Sequence, residues 1–283
     1  MKSASTAAAE LRVAAVQLSS QDVVAENLEH VASLVSKAAR AGAELAVLPE
    51  NFAYMGNDAG KRLLAEPLAA SDAPIQRAIR ELARRERVAI VAGGFPEKSA
   101  DADRPFNTSF VVDAQGELVA VYRKIHLFDV DLGSHGSIRE SASTSAGSDS
   151  VVTVLNGFGI GLSICYDLRF PELYRALVDR GAELVTVPAA FTLHTGKDHW
   201  HPLLRARAIE SQSYVIAAAQ WGRHPEGRQT YGHSLVADPW GTVIAEASDG
   251  RGLAMATLDR AFLVDVRARV PCLTHRRDPS VWR

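Results

Sequence analysis

The chain has 283 residues, 47% of them hydrophobic and 23% charged, with a formal net charge of -2. That is enough chain for one large domain or two small ones. The near-neutral balance gives no support to a nucleic-acid or anionic-membrane partner, and no window is apolar for long enough to span a bilayer. Only two cysteines are present, Cys165 and Cys272. That is too few for a disulfide framework, and a reducing, cytoplasmic setting is expected.

Residues 1–10 lack the apolar core of a secretory signal and read as a flexible tail. Residues 11–283 read as a single domain. Leu11 to Gln17 predicts a strand, and Val24 to Ala41 carries apolar residues at helical spacing. Glu44 to Leu48 is strand-like. Ala73 to Glu86 predicts an amphipathic helix with Ser71-Asp72 as cap residues. Val88 to Gly93 reads as a buried strand. Ser109 to Val121 and Leu235 to Ala245 share one design, a strand, a turn with Asp and Gly, and a second strand, which suggests an internal pseudo-repeat. Ser134 to Ser150, rich in Ser, Gly and Ala, predicts a surface loop. The glycines of Gly157-Phe158-Gly159-Ile160-Gly161 predict a turn into a strand and do not form a phosphate cradle. Glu183 to Val187 and Tyr214 to Ala219 predict strands, with a helix over His199 to Ser213 between them. Alternating strands and helices with antiparallel hairpins point to a mixed sheet covered by helices, or to two such sheets packed together.

Three reactive side chains end apolar runs. Glu50 follows Glu44 to Pro49, Lys124 follows Leu118 to Arg123, and Cys165 follows Gly159 to Ile164. Strand ends are where α/β proteins place their chemistry. A thiol whose pKa is lowered beside Lys124 or at a helix start would be a nucleophile. Glu50 suits general base and acid work, and Lys124 an oxyanion. Taken singly, each has a bland reading: a buried structural cysteine, a capping carboxylate, a surface lysine. His126 offers a rival Cys-His dyad. His194, His199 and His201 cluster, but their spacing fits no zinc motif, and no metal is expected. Arg205, Arg207 and Glu210 read as an ion-pair network on a structural helix, Trp200 and Trp240 as core or interface aromatics, and Cys272 as structural.

Leu48-Pro49-Glu50-Asn51-Phe52, Tyr122-Arg123-Lys124-Ile125-His126-Leu127-Phe128 and Ser163-Ile164-Cys165-Tyr166-Asp167-Leu168-Arg169-Phe170-Pro171-Glu172 occur in that order. With Tyr231-Gly232-His233-Ser234 and Asp238-Pro239-Trp240-Gly241, they make the chain resemble the nitrilase superfamily of carbon–nitrogen hydrolases. The likeness runs from about Leu11 to the C-terminus.

The resemblance implies an αββα sandwich, no metal or organic cofactor, and a homodimer or larger homo-oligomer. It implies Cys165 as nucleophile, Glu50 as general base and acid, and Lys124 with the Tyr166 N–H as oxyanion donors. Glu140 would orient Lys124 and the substrate. Tyr54, Arg169, Phe191 and Thr195 match substrate-pocket positions, with Arg169 suited to an α-keto carboxylate. Phe191 to Gly196, Arg205 to Glu210 and the end from Val270 to Arg277 resemble the branch that holds deaminated-glutathione and ω-amidases. The implied reaction is hydrolysis of a terminal amide of a small carboxylate-bearing substrate, to acid plus ammonia, through a thioester. Deaminated glutathione is the leading substrate and 2-oxoglutaramate the next. A nitrilase, an N-carbamyl amino-acid amidohydrolase, a papain-like Cys-His enzyme and a silent binding module are the alternatives. Lys197-Asp198 departs from the branch pattern beside the pocket.

Overall fold

The computed structural model describes residues 9–68, 73–131, 133 and 136–277. The tail over residues 1–8 and the expected caps Ser71-Asp72 lie outside them. The apolar runs of the first half pair as β1 (Glu10–Gln17), β2 (Leu45–Val47), β3 (Ala89–Glu97), β4 (Phe106–Val112) and β5 (Leu118–Arg123). A short hairpin follows, β6 (Asp129–Asp131) with β7 (Ser137–Arg139), and β7 falls inside the Ser134–Ser150 stretch expected to be all loop. The second half supplies β8 (Val152–Leu155), β9 (Phe158–Leu162), β10 (Leu184–Ala189), β11 (Tyr214–Ala219), the pair β12 (Trp221–Arg223) and β13 (Gln229–Tyr231), then β14 (Leu235–Ala237) and β15 (Val243–Glu246). Strand β16 (Gly252–Asp259) returns to the first sheet beside β1.

Helix α1 (Val24–Arg40) links β1 to β2. The short α2 (Asp58–Leu63) and α3 (Pro74–Glu86) link β2 to β3. Helices α4 (Pro171–Asp179) and α5 (Leu193–Ser211) flank β10, and α6 (Arg260–Arg269) and α7 (Cys272–His275) close the described chain. Helix α5 begins earlier than its periodicity suggested and runs through Pro202.

Period-two alternation sorts the side chains of the first sheet. Val13, Ala15, Leu45, Val47, Ala89, Val91 and Val111 face the second sheet and share a core with Ile160, Leu162 and Val185. Their neighbours Val16, Ala46, Ile90, Ala92, Phe110 and Val112 pack on Val31, Val35, Ile79 and Leu82 of α1 and α3. The opposite outer layer is α4 and α5, through Leu173, Tyr174, Trp200 and Leu204. The result is the expected helix–sheet–sheet–helix sandwich.

The sheets run β16-β1-β2-β3-β4-β5 and β15-β14-β11-β10-β9-β8. Each has three parallel strands at its centre, β1-β2-β3 and β9-β10-β11, and an antiparallel hairpin at one side. The pseudo-repeat seen in the sequence is this correspondence. Asp113 Oδ1 accepts the amides of Gln115 and Glu117, and Asp238 Oδ1 accepts those of Trp240 and Thr242, all at 2.9 Å. Gly116 and Gly241 take the left-handed conformation that closes each turn, at φ 78° and 86°. Gly159 and Gly161 lie within β9 rather than in a turn. A Cβ at Gly159 would stand 2.1 Å from the Gly181 carbonyl, so the glycine admits the α4–β10 connection.

Candidate active site

The parallel strands of both sheets end at one place. After β2, Leu48 still donates to the Val91 carbonyl at 2.9 Å. The chain then turns at Asn51, whose φ is 59° and whose amide donates to Gly94 at 2.8 Å. Gln220 Nε2 holds the Glu50 carbonyl at 3.0 Å. Gly94 is required here. At φ +51°, a Cβ would meet Glu50 Cγ at 2.7 Å. Lys124 leaves β5 with its amide on the Asn107 carbonyl at 2.9 Å.

Cys165 opens a tight 3-10 turn, Cys165–Arg169, just past β9. Its φ of 51° is the left-handed conformation, unfavourable for a side-chain-bearing residue and sustained only by its surroundings. The fully buried Asp167 supplies them. Its carboxylate accepts the Ile164 amide at 2.9 Å, the Tyr122 hydroxyl at 2.6 Å and the His126 amide at 3.1 Å. Arg207 Nε adds a bond to the Leu168 carbonyl at 2.9 Å and its guanidinium pairs with Glu210, so part of the expected ion-pair network braces the turn. His126 Nδ1 stands 2.7 Å from Asp167, and its ring stacks on Phe170 at 3.7 Å. The imidazole is committed to the scaffold of the turn, which removes the structural basis of the Cys-His dyad.

Glu50, Lys124, Glu140 and Cys165 converge. Lys124 Nζ donates to Glu50 Oε1 at 3.0 Å and to both oxygens of Glu140, at 3.0 and 2.8 Å. Glu140 Oε2 also accepts the Phe128 amide at 2.7 Å, and Glu50 Oε2 the Ala190 amide at 3.0 Å. Glu50, Lys124 and Cys165 are all buried. Burial by itself would lower the Lys124 pKa, but the Glu140 and Glu50 carboxylates outweigh it and hold the ammonium charged far up the pH scale. Burial likewise opposes the Glu140 carboxylate, yet Lys124 and the hydrogen bonds keep its pKa below the usual value. The thiol goes the other way. Burial, then the Glu50 carboxylate, push the Cys165 pKa well up, and Lys124 opposes them without prevailing. The lowered thiol pKa expected from the sequence is therefore corrected. Within this buried cluster two carboxylates face one ammonium, and a further anion at Sγ is disfavoured beside Glu50.

The four side chains line the floor of a cleft of about 870 Å³. Its walls include Met55, Phe128, Arg139, Lys197, Arg228 and Thr230. A narrow recess leaves the cleft at Cys165, bounded by Tyr166, Arg169, Phe191 and Thr195. The Arg169 guanidinium lies over the Phe191 and Tyr166 rings, 5.3 and 5.9 Å from their centroids, and 3.3 Å from His199 Nδ1. Tyr54 is placed differently. It is buried beneath α2, its hydroxyl against Gly56 and Gly60, and Met55 takes the wall beside the cleft.

A model of one family, "Carbon-nitrogen hydrolase", matches residues 12–268. The chain belongs to the carbon–nitrogen hydrolase family. Its curated relatives include the deaminated glutathione amidase of Synechocystis sp., 46% identical over 266 residues, covering 93% of this chain and 97% of that one. The deaminated glutathione amidase of Homo sapiens is 44% identical, covering 94% of this chain and 82% of that one. Among solved structures, Saccharomyces cerevisiae Nit3, a member of branch 10 of the nitrilase superfamily, superposes with a TM-score of 0.87 at 32% identity, over 97% of this chain and 99% of that one. The Caenorhabditis elegans NitFhit protein superposes at 0.89 with 39% identity, and this chain covers 96% of itself and 66% of that one.

In this carbon–nitrogen hydrolase several residues that sequence reasoning missed complete the site. Asn107 on β4 donates through Nδ2 to Glu50 at 2.8 Å and to Glu140 at 3.2 Å, bridging the carboxylates. Gly94, Asp167 and Gln220 set backbone that the functional side chains stand on. Asp167 had a visible signal, an acid two residues after the cysteine. Asn107 had none, because nothing local distinguishes an inward strand amide.

Proposed function

We propose that this hydrolase cleaves the γ-amide of deaminated glutathione, with Cys165, Glu50, Lys124 and Glu140 as its catalytic centre. The observation that carries the reading is a buried thiol lining the floor of an open cleft together with a carboxylate that an ammonium holds at 3.0 Å. The curated relatives support the substrate.

Cys165 is a thiol at rest, so attack and deprotonation go together. Glu50 removes the Sγ proton as sulfur bonds to the amide carbon. The C=O electron pair moves to oxygen, and Lys124 Nζ and the Tyr166 N–H receive that charge. Glu140 keeps Lys124 aimed when the oxyanion competes for one of its three N–H groups. Glu50 returns its proton to the nitrogen, the C–N bond breaks, and an amine leaves a thioester. Glu50 then deprotonates water, which attacks the thioester and releases the acid and the Cys165 thiol. In deaminated glutathione the amide nitrogen belongs to cysteinylglycine, so the amine released is that dipeptide. Ammonia would leave only from a primary amide such as 2-oxoglutaramate.

Arg169, over aromatic faces and without a salt bridge among the described residues, suits the α-keto carboxylate. Arg139 and Lys197, also without a salt bridge among the described residues, line the cleft and suit the distal carboxylate of the leaving dipeptide. Tyr54 acts from behind, by shaping α2. The two free cysteines support a cytoplasmic setting. A homodimer is supported by the exposed apolar side chains Ile209, Trp240, Val264 and Val270, at 49%, 51%, 59% and 44% exposure.

The test measures acid formation from deaminated glutathione, 2-oxoglutaramate, a simple aliphatic amide and a nitrile, beside the Cys165→Ala protein. Turnover of deaminated glutathione well above the rest is expected, with Arg169→Lys weakening both keto acids far more than the simple amide. Lys197→Met is expected to lower kcat/KM for deaminated glutathione alone. Turnover of only the simple amide or nitrile keeps the catalytic centre and discards the substrate.

A further inference from the structure

His201 and His233 take no part in the site above. His201 lies in the middle of α5, and His233 follows β13 at φ 59°, in the left-handed region just after Gly232. Trp200 Nε1 donates to the His233 carbonyl at 2.8 Å and holds that conformation. The fold turns both imidazoles onto one carboxylate. His201 Nε2 stands 3.0 Å and His233 Nδ1 2.7 Å from Glu246 Oε1, at the end of β15. The donor atoms of all three residues lie within 4.8 Å of one another. The other ring nitrogen of His233 faces Asp249 Oδ1 at 3.8 Å, and that oxygen also accepts Trp221 Nε1 at 3.3 Å.

We propose that His201, His233 and Glu246 form a binding site for a divalent transition-metal ion of the zinc class, outside the cleft and the recess that Cys165 lines. Zinc bonds of about 2.0–2.2 Å to imidazole and carboxylate set adjacent tetrahedral donors roughly 3.4 Å apart. The observed pairs at 3.0 and 2.7 Å need only a small rotation of partly exposed side chains to admit the ion. Two neutral imidazoles and a carboxylate are a borderline donor set that suits zinc better than calcium or magnesium. Asp249, 3.8 Å from His233 Nε2, is close enough to become the outer carboxylate of a metal-bound imidazole once it moves into hydrogen-bond range. Water fills the fourth position. The site is distinct from the clustered His194 and His199: His194 lines the cleft of Cys165, and His199 Nδ1 lies 3.3 Å from the Arg169 guanidinium. Its ligands come from α5 and from both ends of the β14–β15 hairpin, so the ion ties the outer helix to the sheet edge and stabilises the folded state by linkage.

The test uses untagged protein carrying Cys165→Ala and Cys272→Ser, because thiolates also take zinc. Calorimetric titration with Zn²⁺, and visible absorption with Co²⁺, are expected to show one equivalent bound and a Tm that rises with Zn²⁺. His201→Ala and, separately, Glu246→Gln are expected to weaken binding at least tenfold and abolish the Tm rise, while leaving the metal-free Tm near that of the parent. Failure to bind one equivalent in the parent protein overturns the site. So does affinity unchanged in both variants, which would leave the trio as a hydrogen-bonded cluster only.

Discussion

At the scale of the residue, the chemistry turns on a thiol kept protonated beside a carboxylate. Burial and Glu50 both raise the Cys165 pKa, so the neutral thiol dominates at neutral pH. Its alkylation by iodoacetamide should therefore keep accelerating past the ordinary thiol value of about 8.5. A plateau at or below neutral pH would reveal a preformed thiolate and overturn this account. Removing the anion works in the opposite sense: Glu50→Gln should move that profile to lower pH while cutting turnover roughly 10²–10⁴-fold, the usual worth of a positioned proton carrier. Cys165→Ala and Cys165→Ser should reduce turnover to background with the fold intact by circular dichroism. His126→Gln should leave most of kcat, since the ring serves Asp167 and Phe170. A dead His126→Gln with an active Glu50→Gln would reinstate the Cys-His scheme. Gly94→Ala tests positioning, with a backbone cost at φ 51° added to it. Its methyl would press on Glu50 Cγ, and kcat should fall more than stability does.

At the scale of the element, buried carboxylates stand in for missing backbone partners. Helix α3 begins with Ala73 and Pro74, neither of which can cap it through a side chain. Glu66, from the preceding segment, does so, accepting the Ile75 and Gln76 amides at 2.6 and 3.1 Å. Its substitution by Ala leaves those donors buried and unmet and should cost about 1–3 kcal/mol in chemical denaturation. Asp238→Ala should cost a similar amount, since both turn amides of the β14–β15 hairpin lose their acceptor. Stability unchanged in either variant would show that water or a rearranged turn satisfies the freed groups. The Asp-to-Gly turn pattern made both hairpins legible in the sequence. The Glu66 cap was not legible, because it reaches amides nine and ten residues further along, a separation no local capping pattern fixes.

At the scale of the molecule, the sandwich leaves one helical face short of cover. Ile209 packs against Gly241, next to Trp240, and Arg269 of α6 lies over the Trp240 ring at 5.7 Å. If this face joins two copies, light scattering should give twice the chain mass, and Trp240→Glu with Val264→Glu should halve it. A monomer in the parent protein would refute the dimer.

Period-two and period-three-to-four patterns, the paired turns and the three strand-end motifs were determined by the sequence itself. Each is a local property: alternation chooses a strand face, an Asp with a Gly closes a turn, and a short motif carries its own side chains. They were enough for the alternation of strands and helices and for singling out Glu50, Lys124 and Cys165 as candidates, while the layer order came with the family resemblance. What only the tertiary structure decided is what those groups do to one another. Cys165 is set against Glu50 across more than a hundred residues of chain, and the balance between that carboxylate, burial and Lys124 is what keeps its proton in place. Asn107 bridging two carboxylates, Asp167 holding a strained turn, Tyr54 turned away from the cleft and His201 brought to His233 all depend on strand order and helix placement. Contacts between distant segments arise from packing, and no spacing along the chain encodes them.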